Sequence, residues 1–415
     1  GNPPYRQLQK IKNSIQVANY KHETYSKSAD LYCLFYEKGV QLLKEKGTLN
    51  YITSNSWMRT KYGLALRKFF AEKTNPLQLV NFENSQVFDT AIVESNILIT
   101  QKEKFTKQFR AVNIENDTDE SILEYVNKNS IILTELDENG WIIGNDNSLS
   151  LKKQIEYNSI HLGKLDYKIL SGVKTGFNEA YIIDEETKQK LEDDNSGLIV
   201  PVLRGRDIGK YEIKSSELYI INAHNGNIKE GIKAIDIKKD YPKIYQYFIQ
   251  FKDKMKIRPS KGKHWTNTPA NFSIEYSKPK IIWGELSDKA KFTFDDTGIY
   301  VEATVFLMTG ENLKYILSIF NSKLAQWYFE QIATSSGMGT NRWKKYKIEQ
   351  FPIKDIKNVN PFEILVDYLL HLYNKENPAI LSHTDNTRIA SHLEDILNMM
   401  VYELYFEEHM KEVDL

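Results

Sequence analysis

Gly1-Asn2-Pro3-Pro4-Tyr5-Arg6 opens the chain, and most of the remaining sequence reads as support for it. Each proline fixes φ and removes a backbone donor. The residue before each proline is pushed out of the α region. The result is an extended corner with free carbonyls. Asn2 adds a side-chain acceptor, Pro3 a backbone acceptor, and Tyr5 a flat ring close by. Two acceptors beside a ring suit a planar group with an exocyclic NH2. An adenine swung out of its duplex is such a group, held by polar contacts on one edge and stacked on an aromatic face. The competing reading is a Pro-Pro turn with an unrelated tyrosine after it.

Composition narrows the class. The 415 residues are 41% hydrophobic and 27% charged, enough for two or three domains. No apolar run approaches membrane-spanning length, so no membrane partner is expected, and the polar opening turn does not read as a signal peptide. Cys33 is the only cysteine. It excludes an internal disulfide and points to a reducing, cytoplasmic setting. Its surroundings, Leu31-Tyr32-Cys33-Leu34, read as helix core rather than as a reactive thiol. His161, His264, His371, His383 and His392 lack metal-ligand spacing, and no metal is expected. With 55 basic and 55 acidic residues the net charge is zero, so any nucleic-acid surface must be local.

Residues 1–108 read as α/β. Leu31, Leu34, Phe35, Val40, Leu42 and Leu43 recur at helical spacing over Asp30–Lys46, and Gly47 is placed to cap that helix. Thr48–Thr53 reads as a strand, Leu64–Phe70 as a helix and Leu77–Phe82 as a strand. Ala91–Thr100 is nearly continuous in apolar residues, as a buried strand should be. The order of these elements carries a resemblance. Asn-Pro-Pro-Tyr, then Asp30-Leu31-Tyr32, Gly47-x-Leu49-x-Tyr51-Ile52-x-Ser54-Asn55-Ser56-Trp57, Gly63-x-x-Leu66-Arg67 and Val87-Phe88-Asp89 resemble the second half of a DNA adenine-N6 methyltransferase domain of the Eco57I-like restriction-modification kind. The resemblance implies that Asn2 and Pro3 accept hydrogen bonds from the adenine amine, that Pro4 fixes the turn, and that Tyr5 and Phe88 stack on the flipped base. It implies S-adenosylmethionine as methyl donor. The family's glycine-rich cofactor turn precedes Asn-Pro-Pro-Tyr in that order. Gly337-Met338-Gly339 comes after an amphipathic helix rather than a strand, so it does not replace that turn. The main cofactor-binding motif is therefore expected to be absent, and the chain is expected to be the C-terminal portion of a larger enzyme, inactive alone.

Residues 109–160 read as a connecting segment with one helix and a short strand near Trp141–Ile143. Residues 161–355 carry strand-like runs at Tyr181–Ile183, Leu198–Leu203, Leu218–Ile221, Lys280–Trp283, Lys291–Phe294 and Ile299–Phe306, then a helix from Asn312 to Ile332. This pattern reads as α+β. Gly172-Val173-x-Thr175-Gly176-x-Asn178, Val200-Pro201-Val202-Leu203-Arg204-Gly205-Arg206-Asp207-Ile208, Lys278-Pro279-Lys280-Ile281-Ile282-Trp283 and Phe351-Pro352-Ile353 resemble the TaqI-like target-recognition domain. The 252–264 stretch holds six cations, Lys252, Lys254, Lys256, Arg258, Lys261 and Lys263, against Asp253 alone, with Trp265 next. Arg342-Trp343-Lys344-Lys345 repeats the basic-aromatic mixture. Such cations neutralise phosphates, while Asn178, Arg204 and Arg206 are candidates to read base edges. Each cluster could equally be solvated surface.

The fold expected is thus an α/β partial Rossmann-like methyltransferase half, then an α+β target-recognition domain, then a helical tail over 356–415. The function expected is site-specific adenine-N6 methylation of double-stranded DNA by base flipping, with an upstream nuclease domain or subunit left open. A non-catalytic DNA specificity subunit and a methyltransferase for RNA or protein are the alternatives.

Overall fold

The computed structural model describes residues 1–11, 21–82, 94–114, 121–136, 138, 140–143, 146–191, 197–214, 217–228, 231–269, 273–332, 341–374 and 383–412. They form two compact units. Gly1–Gln154 makes up the main part of the first, and Ile155–Phe329 with Arg342–Leu415 makes up the second.

The first unit is built on α1 (Tyr32–Leu42), β1 (Thr48–Ser54), α2 (Leu64–Lys73), β2 (Asn75–Phe82), β3 (Ser95–Gln101), β4 (Phe109–Asn113), α3 (Ile122–Asn129) and β5 (Ile131–Leu133). Its sheet runs β1-β3-β2-β4-β5. The apolar run expected to be a buried strand is β3, paired antiparallel on both sides. Within the sheet β2 and β4 pair in parallel. Successive side chains leave opposite faces of a strand, and the cores obey that rule. Leu79, Phe109 and Ala111 join Tyr36, Trp57, Phe70 and Cys33. Val80 and Val112 join Val126 of α3 in a separate cluster. Helices therefore cover both faces. The α1 helix stops at Leu42, short of the expected Lys46, because Leu43 is already extended.

The expected connector contributes to this unit. β4 and β5 are members of the sheet, so the first unit runs to Gln154 rather than ending near 108. Trp141 and Ile143 form no strand. Trp141 is instead a buried wedge, 5.0 Å from the Trp57 ring and 5.4 Å from Phe109. Four aromatic rings in one cluster outweigh a short ladder, since each buries far more apolar area than a strand residue.

The second unit contains two four-stranded sheets. β6 (Lys168–Ser171), β7 (Ile182–Asp184), β8 (Ile199–Leu203) and β9 (Leu218–Ile221) come first. The helices α4 (Pro242–Ile249) and α5 (Lys252–Ile257) come next, then β10 (Lys280–Gly284), β11 (Phe292–Asp295), β12 (Tyr300–Val301) and β13 (Val305–Thr309). The sheet orders are β12-β8-β9-β7 and β11-β10-β13-β6. The expected 299–306 strand is two strands, broken by a turn at Glu302-Ala303-Thr304. The expected 312–332 helix is also two, α6 (Leu313–Phe320) and α7 (Lys323–Ile332). The break is chemical: Asn321 donates from Nδ2 to the Phe292 carbonyl and accepts from the Phe292 amide, which ties it to β11 instead of the helix. The 356–415 region folds as α8 (Asn360–Tyr373) and α9 (His383–Glu412). These helices pack against α6 and each other. Asn398 of α9 accepts from the Lys323 amide.

A steric lock closes the turn after β1. A Cβ at Gly63 would lie 2.0 Å from the Trp57 carbonyl oxygen, a backbone atom that cannot step aside. The same carbonyl accepts from Arg67, which is buried and also donates to Thr60 O (3.0 Å) and Glu138 O (2.7 Å). Gly63→Ala should therefore destabilise the first unit by about 2 kcal/mol or more. Urea unfolding monitored by Trp fluorescence reads the shift.

Candidate functional site

In the first unit the opening corner is stitched to an outer edge of the sheet. The Gly1 amino group donates to Asn50 O (2.6 Å) and the Ile52 amide donates to Gly1 O (3.0 Å). One residue bonding both neighbours of its partner is the parallel pattern, so Gly1 sits beside Tyr51. Further along, Leu31 donates to Arg6 O and Leu8 to Ala29 O, both at 2.8 Å, which ties the corner to the start of α1. Pro3 is buried, Asn2 and Pro4 are exposed, and Tyr5 is half-buried. The Tyr5 hydroxyl donates to Ile52 O (3.3 Å), and its ring meets Tyr32 edge-on at 6.1 Å. Burial raises the Tyr5 phenol pKa, partly offset by a hydrogen bond with Ser95, so the ring stays neutral. Among the described residues no hydrogen bond engages the Asn2 amide. Phe88 lies outside the described residues, as do Val87, Asp89 and Gly337-Met338-Gly339.

An unexpected asparagine rail crosses the strand ends. Asn55 donates to Asn81 (3.0 Å), Asn81 to Asn113 (2.8 Å) and Asn113 to Ile143 O (3.1 Å). The hint in the sequence is an asparagine at or just past the end of three apolar strands.

In the second unit contacts link Asn178, the Arg204 turn and the Lys344 segment. Asn178 accepts from Thr175 Oγ1 (2.5 Å) and donates to Glu302 Oε2 (3.2 Å). Glu302 also accepts from Thr304, and its amide donates to Leu203 O (3.0 Å). Next along the chain is the Arg204-Gly205-Arg206-Asp207 turn, closed by the Arg204 amide donating to Asp207 (2.8 Å). A Cβ at Gly205 would lie 3.7 Å from the Gly284 Cα, so the two backbones run close together. Glu285 accepts at its carbonyl from the Trp343 amide (2.8 Å), and its carboxylate lies 3.8 Å from Lys344. Arg206 projects outward, 72% exposed, and Arg204 is half-buried. Lys345 pairs with Glu349. The side chain of Arg342 lies outside the described residues.

The basic loop joins the same surface. Gly176, at φ +72°, brings its backbone against Ser260, where a Cβ would be 2.8 Å from the Ser260 amide. Lys254 lies over the Phe177 ring (5.5 Å) and 3.9 Å from Glu179. Lys256, Lys261 and Lys263 are exposed and have no carboxylate partner among the described residues. Trp265 is half-buried against Tyr245. Arg258 departs from its expected place on the surface. It is 5% exposed and donates to Met255 O, Trp265 O, Asn267 O and the Tyr181 hydroxyl. Spacing alone does not separate it from the lysines. Glu302, Glu285 and Tyr181 escape a reading of the sequence, since isolated acids and tyrosines carry no motif.

Comparison with known proteins fits this layout. Residues 1–88 match the Eco57I restriction-modification methylase family, and residues 200–353 match the TaqI-like C-terminal specificity domain. The chain is thus similar to that methylase family in its first unit and to that specificity domain in its second. The Type II methyltransferase M.BstVI of Geobacillus stearothermophilus is 24% identical over 86% of this chain and 67% of its own length. The Type II restriction enzyme and methyltransferase RM.Eco57I of Escherichia coli is 23% identical over 79% of this chain and 37% of its own. The type IIL restriction-modification enzyme MmeI, solved with DNA, shares the fold at TM-score 0.68 and 11% identity, over 98% of this chain and 54% of its own. The chain thus spans from about a third to two thirds of the length of these relatives.

A histidine holds the second unit's basic loop from behind. His224 is 5% exposed, its Nδ1 accepts from the Gly226 amide (2.9 Å), and its carbonyl accepts from Asn267 Nδ2 (3.0 Å). Burial lowers its pKa, so the folded state holds it neutral. The unfolded chain takes up that proton near pH 6.5, and stability then falls as pH falls through that value. Protection factors at the Gly226 and Thr268 amides, observed exchange divided into the intrinsic rate at each pH, should therefore fall between pH 7 and 5, and His224→Asn should flatten the trend.

Proposed function

We propose that the chain is the base-holding and DNA-recognising part of a restriction-modification enzyme that methylates adenine at N6 in double-stranded DNA. The carrying observation is the opening corner. Its proline turn is fixed to β1 and α1, its Asn2 amide is exposed and unengaged among the described residues, and its Tyr5 ring is half-buried and perpendicular to Tyr32. In this reading Asn2 Oδ1 and Pro3 O accept the two protons of the flipped adenine amine. Acceptors placed there keep the nitrogen lone pair out of the ring, which raises its nucleophilicity. Tyr5 stacks on the base, and Phe88 covers its other face. The Lys256, Lys261 and Lys263 loop, with Lys344, Lys345 and Arg342, holds the phosphates, while Asn178, Arg204 and Arg206 face the groove. The working place is the cytoplasm, and a nuclease domain or subunit is a partner of the whole enzyme.

S-adenosylmethionine supplies an electrophilic methyl group when bound. The passage from β1 to α2, described throughout, carries Gly63 alone, and the space beside it is filled by the Trp57 carbonyl. That passage does not fit the cofactor's glycine-rich cradle, and no residue of this chain is assigned to it.

Two measurements test this reading. Labelled-methyl transfer to duplex DNA should be poor or nil for this chain alone, and robust turnover would overturn the assignment of the cofactor site elsewhere. In the complete enzyme, Asn2→Ala should lower methylation at least about 100-fold, the scale of losing one preorganised polar contact to the reacting group, with duplex binding retained.

A further inference from the structure

The basic loop of the specificity domain is folded from inside by one cation. Arg258 Nη1 donates to Met255 O (3.2 Å) and Trp265 O (2.6 Å), and Nη2 donates to Asn267 O and the Tyr181 hydroxyl, both at 2.6 Å. The guanidinium also lies 4.9 Å from the Tyr181 ring centre. Tyr181 in turn donates to Thr266 O (2.6 Å). Between the two ends of this clamp lie Lys261 and Lys263, both exposed. The Gly262 amide donates to Asn267 O (2.7 Å), and the Asn267 amide to His264 O (3.0 Å), which closes the tip.

We propose that Arg258 is a positioning residue for DNA binding. It touches no phosphate, and it sets Lys261 and Lys263 into a preformed pair that does. The inference rests on the reading of this loop as a DNA contact. The chemistry favours arginine there. Four acceptors on two terminal nitrogens suit a planar fork, which an ammonium cannot reproduce. A preformed loop also avoids the ordering cost that a floppy lysine pair would meet on binding.

The test is a mutant cycle on the whole 415-residue chain, with a fluorescent random-sequence DNA duplex as probe and anisotropy read across a salt series. The double variant Lys261→Ala/Lys263→Ala should weaken binding and flatten the plot of log K against log salt by about 1.8, two phosphates' worth. Arg258→Met should give most of that loss, and adding it to the double variant should change little more. Arg258→Lys should not rescue. Exchange at the Gly262 and Asn267 amides should speed up in Arg258→Met and not in the lysine double. Tyr181→Phe, which removes one acceptor without stranding a charge, should move the same readouts in the same direction, and it decides the matter where Arg258→Met does not fold. A slope change of about 0.9 for Arg258→Met that adds to the lysine double would mean direct contact and overturn the inference. If the lysine double weakens binding while Arg258→Met and Tyr181→Phe leave it intact, the inference fails and the DNA reading of the loop stands. If the lysine double has no effect, both fall.

Discussion

A buried guanidinium has five N–H groups and no way to lose its charge, so the chain around it must bring acceptors. Both units use this demand to fix a loop. In the first, Arg67 draws together the carbonyls of Trp57, Thr60 and Glu138, which closes the turn after β1 and pins the segment that carries Trp141. In the second, Arg258 gathers Met255, Trp265, Asn267 and Tyr181. Its Nε has no hydrogen-bond partner among the described residues. Removing either arginine would strand several backbone acceptors at once, a larger penalty than the net value of any single bond.

The opening corner depends on a different constraint. Pro3 and Pro4 cannot donate, so the corner cannot extend the sheet beyond Gly1 as a regular strand. Gly1 makes a single parallel bridge to Tyr51, and the chain then turns away towards α1. Tyr5 is held by its hydroxyl at Ile52 O rather than by full burial. An aromatic ring anchored at its polar tip keeps part of its face for another planar group, whereas a core ring surrounded on all sides does not.

Where the sequence spoke clearly, the signal was local. The strand spacing of β1 and β2, the apolar run of β3 and the helical periods of α1 and α2 need only a short window. So does the proline corner. What escaped the sequence was set by contacts between distant residues. β4 belongs to the first sheet because Gln78 to Asn81 pair with Arg110 to Asn113, about thirty residues on. Trp141 sits in irregular chain because an aromatic cluster offers it more than a ladder would. The 312–332 period is real, and Asn321 breaks it by bonding to β11. Arg258 stands in a run of cations, and its burial comes from acceptors up to 77 residues away. The reading of Phe88 depends on residues outside those described.

Zero net charge and a cationic contact surface are compatible once the pairing of each cation is considered. Lys254, Lys344 and Lys345 each face a glutamate at 3.6–3.9 Å, and those pairs are partly or largely exposed. Exposed pairs are worth at most about 1 kcal/mol, so a phosphate can take the glutamate's place, though it gains less than at a bare lysine because the acid's repulsion remains. Lys256, Lys261 and Lys263 have no acid to displace among the described residues. The six cations of 252–264 are therefore not equivalent. Arg258 contributes to the fold, Lys254 carries an acidic neighbour, and Lys252, Lys256, Lys261 and Lys263 are exposed with no acidic partner among the described residues. Counting basic residues in a stretch overstates its field. The pairing seen in three dimensions leaves Lys261 and Lys263, two of the uncompensated charges, on either side of Gly262 in the turn closed by Gly262 and Asn267.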